Sequence, residues 1–513
     1  MPIESSNRTI AKNTLFLYFR MLITMVVSLY TSRVILQTLG VEDYGIYQSV
    51  GGIVGLISFL NGALATGTSR FITYSLGKND EKDLRIFFST ALMVHVALAV
   101  LIILLAETVG LWFLYHKLII PPERMSAAVF CYHLSMLSVF LSVTQVPYNA
   151  LIIGHERMNI YAYVSIIEVV LKLLIVYALY LSSFDKLKVY ATLFLLLSAG
   201  ILIFYRLYCI HHFKEARYHF VFDKKCIKEI GAFSGWSLFT NGALALNGHG
   251  ILILLNMFFS PAIVASRAIS LQVNGAVGQF VGNFRTAVNP QITKRWAAGD
   301  EQGSKILVLE SAKFCYYLVL VFAIPIIFTT ETLLQLWLGQ VPEYSVRFLQ
   351  LVLIETLIKV VDSSLYQALY ARGRIRENAL LSTIILILCF TGTYVFLHLG
   401  YSPLAASYWA IVKAISLAMI EKPYILVKIA QYNWRDFVRL YLPCLWVTLC
   451  AIPLPMLYYL KVYQMQSPNN VWAFFAMASI SLTTTVCSIW FFGLTKEMKK
   501  KLVNLVKARY KNN

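Results

Sequence analysis

Apolar runs of about twenty residues, the length that crosses a bilayer core, follow one another along almost the whole chain, separated by short polar stretches. On that ruler the pattern predicts fourteen membrane helices. Six fall at roughly 14–35, 44–65, 86–111, 126–148, 160–181 and 189–210, and six more at roughly 231–258, 263–289, 306–328, 345–370, 379–399 and 403–427. Two follow at roughly 438–460 and 471–493. Pro, Gly and Asn interrupt several runs, which a membrane tolerates where a helix faces protein or a water-filled cavity.

The polar breaks repeat. Tyr148 to Asn159 has a near copy in Tyr366 to Asn378, with Gly154 matching Gly373 (373 − 154 = 219) and Asn159 matching Asn378. Ile72-Thr73, Gly77 and Asp80-Glu81 recur as Ile292-Thr293, Gly299 and Asp300-Glu301. An offset near 219 residues covers six predicted spans, an even number, so both copies enter the membrane from the same side. The expected fold is therefore an all-α integral membrane protein of about 14 transmembrane helices. It comprises two parallel-repeat six-helix lobes, 1–210 and 231–427, a polar linker at 211–230, and two extra helices with a basic tail in 428–513.

Composition agrees: 58% of the 513 residues are hydrophobic and only 13% charged, too few charges for the surface of a soluble chain of this length. The net charge of +19 is scattered over short loops, which leaves no basic groove for nucleic acid. Alternate loops are basic: Lys78 to Arg85, Lys214 to Lys228, Arg372 to Arg376, and the tail from Lys496. The loops between them are poor in Lys and Arg: Phe259 to Ala262, Gly339 to Ser345 and His398 to Pro403 carry none, and Lys117, Arg124, Lys186, Lys188 and Lys461 are the main exceptions. The positive-inside rule then places both termini in the cytoplasm. Residues 1–13 show no cleavable signal. The eight cysteines lie mostly in apolar runs without metal-ligand spacing and read as packing residues.

Charges inside the apolar runs carry the candidate chemistry, because an ionised group at mid-bilayer costs on the order of 3 kcal/mol. Glu168 and Lys172 lie i,i+4, as do Glu355 and Lys359, with Asp362 further along the same run. Such pairs neutralise themselves on one helix face. Arg20, Arg267 and Lys413 have no carboxylate at that spacing on their own helices. Together with Arg285, Asn61 and Asn274 they are the expected substrate-binding residues, and Glu168, Lys172, Glu355 and Asp362 the expected coupling residues. His95 and His133 lack a second metal ligand at a suitable spacing.

There is no GxxxxGK[ST] loop, HExxH or GxSxG, and no cofactor motif. A duplicated helical bundle with charged interior positions fits a secondary transporter. Leu36 to Gly55, above all Leu-Gly-x-x-x-Tyr-Gly at Leu39 to Gly45, resembles the N-terminal pattern of bacterial polysaccharide exporters. These are the O-antigen flippases of the multidrug/oligosaccharidyl-lipid/polysaccharide superfamily, to which the lipid II flippase also belongs. The resemblance implies a pair of six-helix lobes, alternating access and a plasma-membrane location. The implied cargo is an undecaprenyl-pyrophosphate-linked oligosaccharide, with proton or cation coupling, membrane lipids around it, and glycan polymerase or glycosyltransferase partners. Arg20 and Arg267 are the nearest matches to arginines that help bind pyrophosphate in that family. A cation-coupled drug exporter of the same fold would want an acidic cavity, which the basic interior positions oppose. A membrane glycan polymerase or ligase would want a large outward loop, and the outward loops here are short.

Overall fold

The computed structural model describes the backbone of residues 3–500, apart from 59–60, 62–63, 66–67, 69–71, 73–75, 77–80, 156, 218–222, 224–226, 228–240, 375, 466–469 and 497. Side chains are described from residue 21 onward within that range, apart also from 83, 158, 161, 286, 287 and 290. The described residues are predominantly helical and contain no strand. In lipid this is the expected outcome, because a helix satisfies its backbone hydrogen bonds internally.

The chain runs through α1 (Ile3–Ile57), α2 (Glu81–Leu105), α3 (Leu111–His116), α4 (Met125–Gly154), α5 (Met158–Tyr180), α6 (Lys186–His212), α7 (Ile251–Phe258) and α8 (Pro261–Ala297). It continues through α9 (Glu301–Leu338), α10 (Ser345–Ala371), α11 (Arg376–His398), α12 (Ala405–Ile415), α13 (Lys422–Ala430), α14 (Trp434–Ala451), α15 (Pro453–Lys461) and α16 (Val471–Ser488). Among the described residues, nine helical stretches are long and apolar enough to cross a membrane, fewer than the fourteen runs read from sequence. The start of the seventh run, 231–240, lies outside the described residues, and other causes are local. The first two runs are merged in α1, and α8 carries Arg267, Gln272, Asn274, Gln279, Asn283 and Arg285 along its length. Helices this polar persist in a bilayer by facing protein.

The helix register repeats. α9 begins 220 residues after α2 (301 − 81) and α10 begins 220 after α4 (345 − 125). α11 follows α5 by 218 (376 − 158), and α12 follows α6 by 219 (405 − 186). Ile72 and its counterpart Ile292 are both fully buried. The duplication read from polar breaks is thus a duplication of helix boundaries.

By internal packing the chain forms two compact units, one of residues 1–268 with 386–403, the other of 269–385 with 404–513. In the first unit, one core gathers Ile46, Val50, Ile53, Leu114, Tyr132 and Met136, and a second gathers Phe87, Phe88, Tyr148, Leu151, Cys209 and Phe213. In the second unit the core joins Ile292, Val308, Leu365, Leu369, Leu426 and Phe437.

The Leu39 to Gly45 motif is explained within the first unit. Gly40 takes φ 82°, a left-handed conformation that costs a residue with Cβ, and kinks α1 there. Asp43 accepts two hydrogen bonds from Arg124, at 2.7 and 2.6 Å, and Tyr44 is buried. Arg124 also pairs with Asp185 at 2.6 Å, whose other oxygen caps the start of α6 through the amides of Leu187 and Lys188. At Gly45 the backbone of Pro261 packs so close that no Cβ fits. The most specific element of the resemblance therefore fixes helix ends.

Candidate functional site

The second unit contains a buried ion network. On α10, Asp362 pairs with Lys422 at 2.8 Å, and Lys422 also donates to Glu421 at 2.6 Å. Ser382 on α11 donates to the other oxygen of Glu421 at 3.0 Å. The Lys422 side chain is 3% exposed and that of Glu421 2%. Burial of two consecutive residues follows from the π turn Ser416–Glu421 between α12 and α13. Its wider turn brings neighbouring side chains closer to one face than an α-turn does. Two carboxylates share one ammonium, which leaves one formal negative charge inside the protein.

Along the same helix, Glu355 pairs with Lys413 at 3.3 Å. This corrects the expectation that Glu355 would be neutralised by Lys359. The Lys359 residue is exposed, while Glu355 and Lys413 are mostly shielded from solvent, where opposite charges attract more strongly. Lys413, which has no carboxylate on its own helix, is thereby compensated across helices. The predicted Glu168–Lys172 pair in the first unit does form, at 2.6 Å. It lines a small polar cleft of about 170 Å³ with Ser142, Gln145, Asn149 and Ser198.

The remaining expected residues are dispersed. Arg285 donates to the carbonyl of Ser363 at 2.9 Å, and Asn274 accepts from the Thr356 hydroxyl at 2.5 Å, both in the second unit. Arg267 falls in the first unit, is 5% exposed and interacts with protein groups. The Asn61 side-chain oxygen is buried without a hydrogen-bond partner among the described residues. The Arg20 side chain lies outside the described residues.

Sequence reasoning missed Glu421 and Lys422, although an adjacent acid and base near the end of an apolar run was the available signal. It also missed a pair of nitrogen-bearing side chains stacked on aromatic rings at the duplicated hinge. In the first unit the His155 ring stacks on Phe213 at 4.1 Å and donates to Glu215 at 2.5 Å. Burial raises the Glu215 carboxyl, but the His155 hydrogen bond and the Arg85 charge help outweigh it and hold the group below the ordinary glutamate value. In the second unit Arg372 lies over Trp296 at 4.2 Å and over Tyr432 at 6.0 Å, with Glu301 at 3.9 Å. Tyr432 is 219 residues beyond Phe213 (432 − 213), so each copy of the hinge is tied to the aromatic residue that follows its last repeated helix.

A large apolar cleft also opens in the second unit, with a volume of about 840 Å³. Leu320 and Phe328 of α9, Leu357 and Val361 of α10, and Trp434 and Leu445 of α14 form its walls.

Helices of this length and apolarity, a duplicated register and buried ion pairs define a multi-pass helical membrane protein. No known protein-family model matches the chain, and no curated protein matches it in sequence. Solved structures do match in fold. The lipid II flippase MurJ, in an inward closed conformation, superposes with a TM-score of 0.68 at 12% identity, over 93% of this chain and 98% of that one. An inward-facing multidrug resistance MATE family transporter of the MOP superfamily gives a TM-score of 0.67 at 15% identity, over 80% and 98%. A MOP superfamily transporter from Pyrococcus furiosus, described as having a binding pocket of reverse polarity, gives 0.53 at 15% identity, over 82% and 97%. The fold is that of these transporters and flippases.

Proposed function

We propose that this chain is a flippase that moves an undecaprenyl-pyrophosphate-linked oligosaccharide, the repeat unit of an O-antigen, capsule or exopolysaccharide, across the bacterial plasma membrane by alternating access. The observation that carries the reading is the charge state of the interior. Glu355, Asp362 and Glu421 each face a lysine, and Glu168 faces Lys172. An exporter of cationic drugs needs open acidic groups, and each of these four is already engaged by an ammonium, with Asp362 and Glu421 sharing one. Arg285, by contrast, donates to the carbonyl oxygen of Ser363 and forms no ion pair among the described residues, so its positive charge is not cancelled there. Guanidinium groups suit a pyrophosphate because their fork donates paired hydrogen bonds. An apolar cleft of about 840 Å³ offers surface for an isoprenoid tail. In this reading the lobes are 1–210 and 231–427, and Asp362, Glu421 and Lys422 are the coupling group, since two carboxylates on one lysine hold a charge that a proton or cation would neutralise.

The direct test is complementation. In a strain lacking its own flippase, the chain should restore surface glycan. Restored resistance to cationic drugs with no surface glycan would overturn the proposal in favour of a drug exporter. Orientation is checked separately: reporters fused at Arg374 and after Asn513 should be active only when the reporter works in the cytoplasm. Periplasmic activity at either point contradicts the assignment of both termini to the inside.

A further inference from the structure

A second cleft, of about 490 Å³, lies in the first unit between α2, α4 and α6. Its walls include Leu92 and Val96 of α2, Phe140 of α4 and Leu202 of α6, and two polar side chains of α4 and α6 face it, Tyr148 and Arg206. A third, Thr144, has its hydroxyl engaged by the carbonyls of Phe140 and Leu141. Tyr148 is only 3% exposed, yet among the described residues no hydrogen-bond partner reaches its hydroxyl. Arg206 forms no ion pair or hydrogen bond among the described residues either. Arg206 is exposed, and its charge acts on the Tyr148 hydroxyl, so one cleft offers an anionic oxygen both a cation and a donor.

Depth orders the cleft. Tyr148 stands six residues before the end of α4 (154 − 148), and Arg206 six before the end of α6 (212 − 206). Both therefore lie roughly 9 Å inside the same end of the unit. That end also bears Lys82, Arg85 and Lys214, interspersed with Glu81, Asp83 and Glu215. Leu202 stands ten residues from it (212 − 202), and Val96 fifteen from the start of α2 (96 − 81). The apolar wall therefore extends from about 15 to about 22 Å. One polar level at the edge of the hydrocarbon, with an apolar track running inward, has the profile of a single leaflet lipid.

We propose that this cleft binds an anionic phospholipid, with the phosphate held between the Arg206 guanidinium and the Tyr148 hydroxyl and an acyl chain laid along Leu92, Val96 and Phe140. The Arg206 guanidinium, which forms no ion pair among the described residues, favours an anionic headgroup over a zwitterionic one. The inference is independent of the transported substrate and stands or falls apart from it.

Native mass spectrometry of the full-length protein in neutral detergent provides the test, with phosphatidylglycerol, phosphatidylethanolamine or glycerol phosphate added. One phosphatidylglycerol should be retained in preference to phosphatidylethanolamine, and glycerol phosphate alone should not bind. R206Q should weaken retention about tenfold, and Y148F by a smaller factor. K214Q, which changes a basic residue at the same end but outside the cleft, should retain the lipid as the parent does. L202W keeps Arg206 while filling the cleft, and should also lose the lipid, which guards against misfolding of the arginine variant. Equal retention of the two phospholipids overturns the proposal. So does unchanged phosphatidylglycerol binding in both R206Q and L202W, or binding of glycerol phosphate as tight as that of the lipid.

Discussion

Replacing Lys422 with methionine is expected to remove most of the folded protein from the membrane. The Lys422 ammonium is the shared partner of Asp362 and Glu421, at 2.8 and 2.6 Å, and its side chain is 3% exposed. Deleting one member of a buried ion cluster leaves the others charged and unpaired, which costs about 3–5 kcal/mol. Against a net stability of order 5–15 kcal/mol for a folded domain, such a loss is large. The same reasoning predicts rescue. The triple variant Asp362→Asn, Glu421→Gln, Lys422→Met has no charge left to strand, and should recover much of the lost protein. The quantity to measure is detergent-stable, monodisperse protein per unit of expressed chain. Normal yield of the single Lys422→Met variant would mean that water or another group already satisfies the two carboxylates. A coupling role is tested by the milder change Asp362→Asn, which leaves the Glu421–Lys422 pair intact. Yield should stay normal while glycan export falls. Full export in Asp362→Asn, Glu355→Gln and Glu168→Gln alike would confine these groups to a structural role.

Which parts of this arrangement were legible in the sequence follows from the range of the interactions. Helical class is written in runs of about twenty apolar residues, because the bilayer sets their length. The duplication is written in Gly154 and Gly373, because a polar hinge must recur wherever the helix boundaries do. The Glu168–Lys172 pair is local to one helix face, so spacing alone predicts it. Glu355 and Lys413 are 58 residues apart (413 − 355) and meet only through packing of α10 against α12, so spacing pointed instead to Lys359. Glu421 and Lys422 were hidden by the π turn at Ser416–Glu421, since a regular helix would aim consecutive side chains about 100° apart. The Leu39 to Gly45 motif was visible as a pattern but not as a mechanism. Gly40, Asp43 and Gly45 are explained by a kink, by Arg124 and by Pro261, and the latter two partners are remote in the chain.

Loss of either Arg20 or Arg267 is expected to abolish glycan export while leaving the protein inserted. We propose, as the resemblance to polysaccharide exporters implies, that these side chains join Arg285 in holding the pyrophosphate, the part of the cargo whose dehydration costs most and whose recognition is shared by every repeat unit. Each charge-assisted hydrogen bond to phosphate contributes about 1.5–3 kcal/mol, so one lost arginine lowers affinity by about ten- to a hundredfold. Lysine should restore only part of the activity, because it keeps the charge and loses the two-pronged donor geometry. The competing account is structural: Arg267 is 5% exposed and already interacts with protein groups, so its removal would strand a partner and reduce folded protein. The two accounts separate on one ratio, surface glycan per unit of membrane-inserted protein, measured in a strain without its native flippase. A low ratio at normal insertion, partly restored by Arg20→Lys and Arg267→Lys, is the expected result. Low insertion with an unchanged ratio assigns Arg267 to the packing of the first unit, and a wild-type ratio in both alanine variants removes these arginines from the headgroup site.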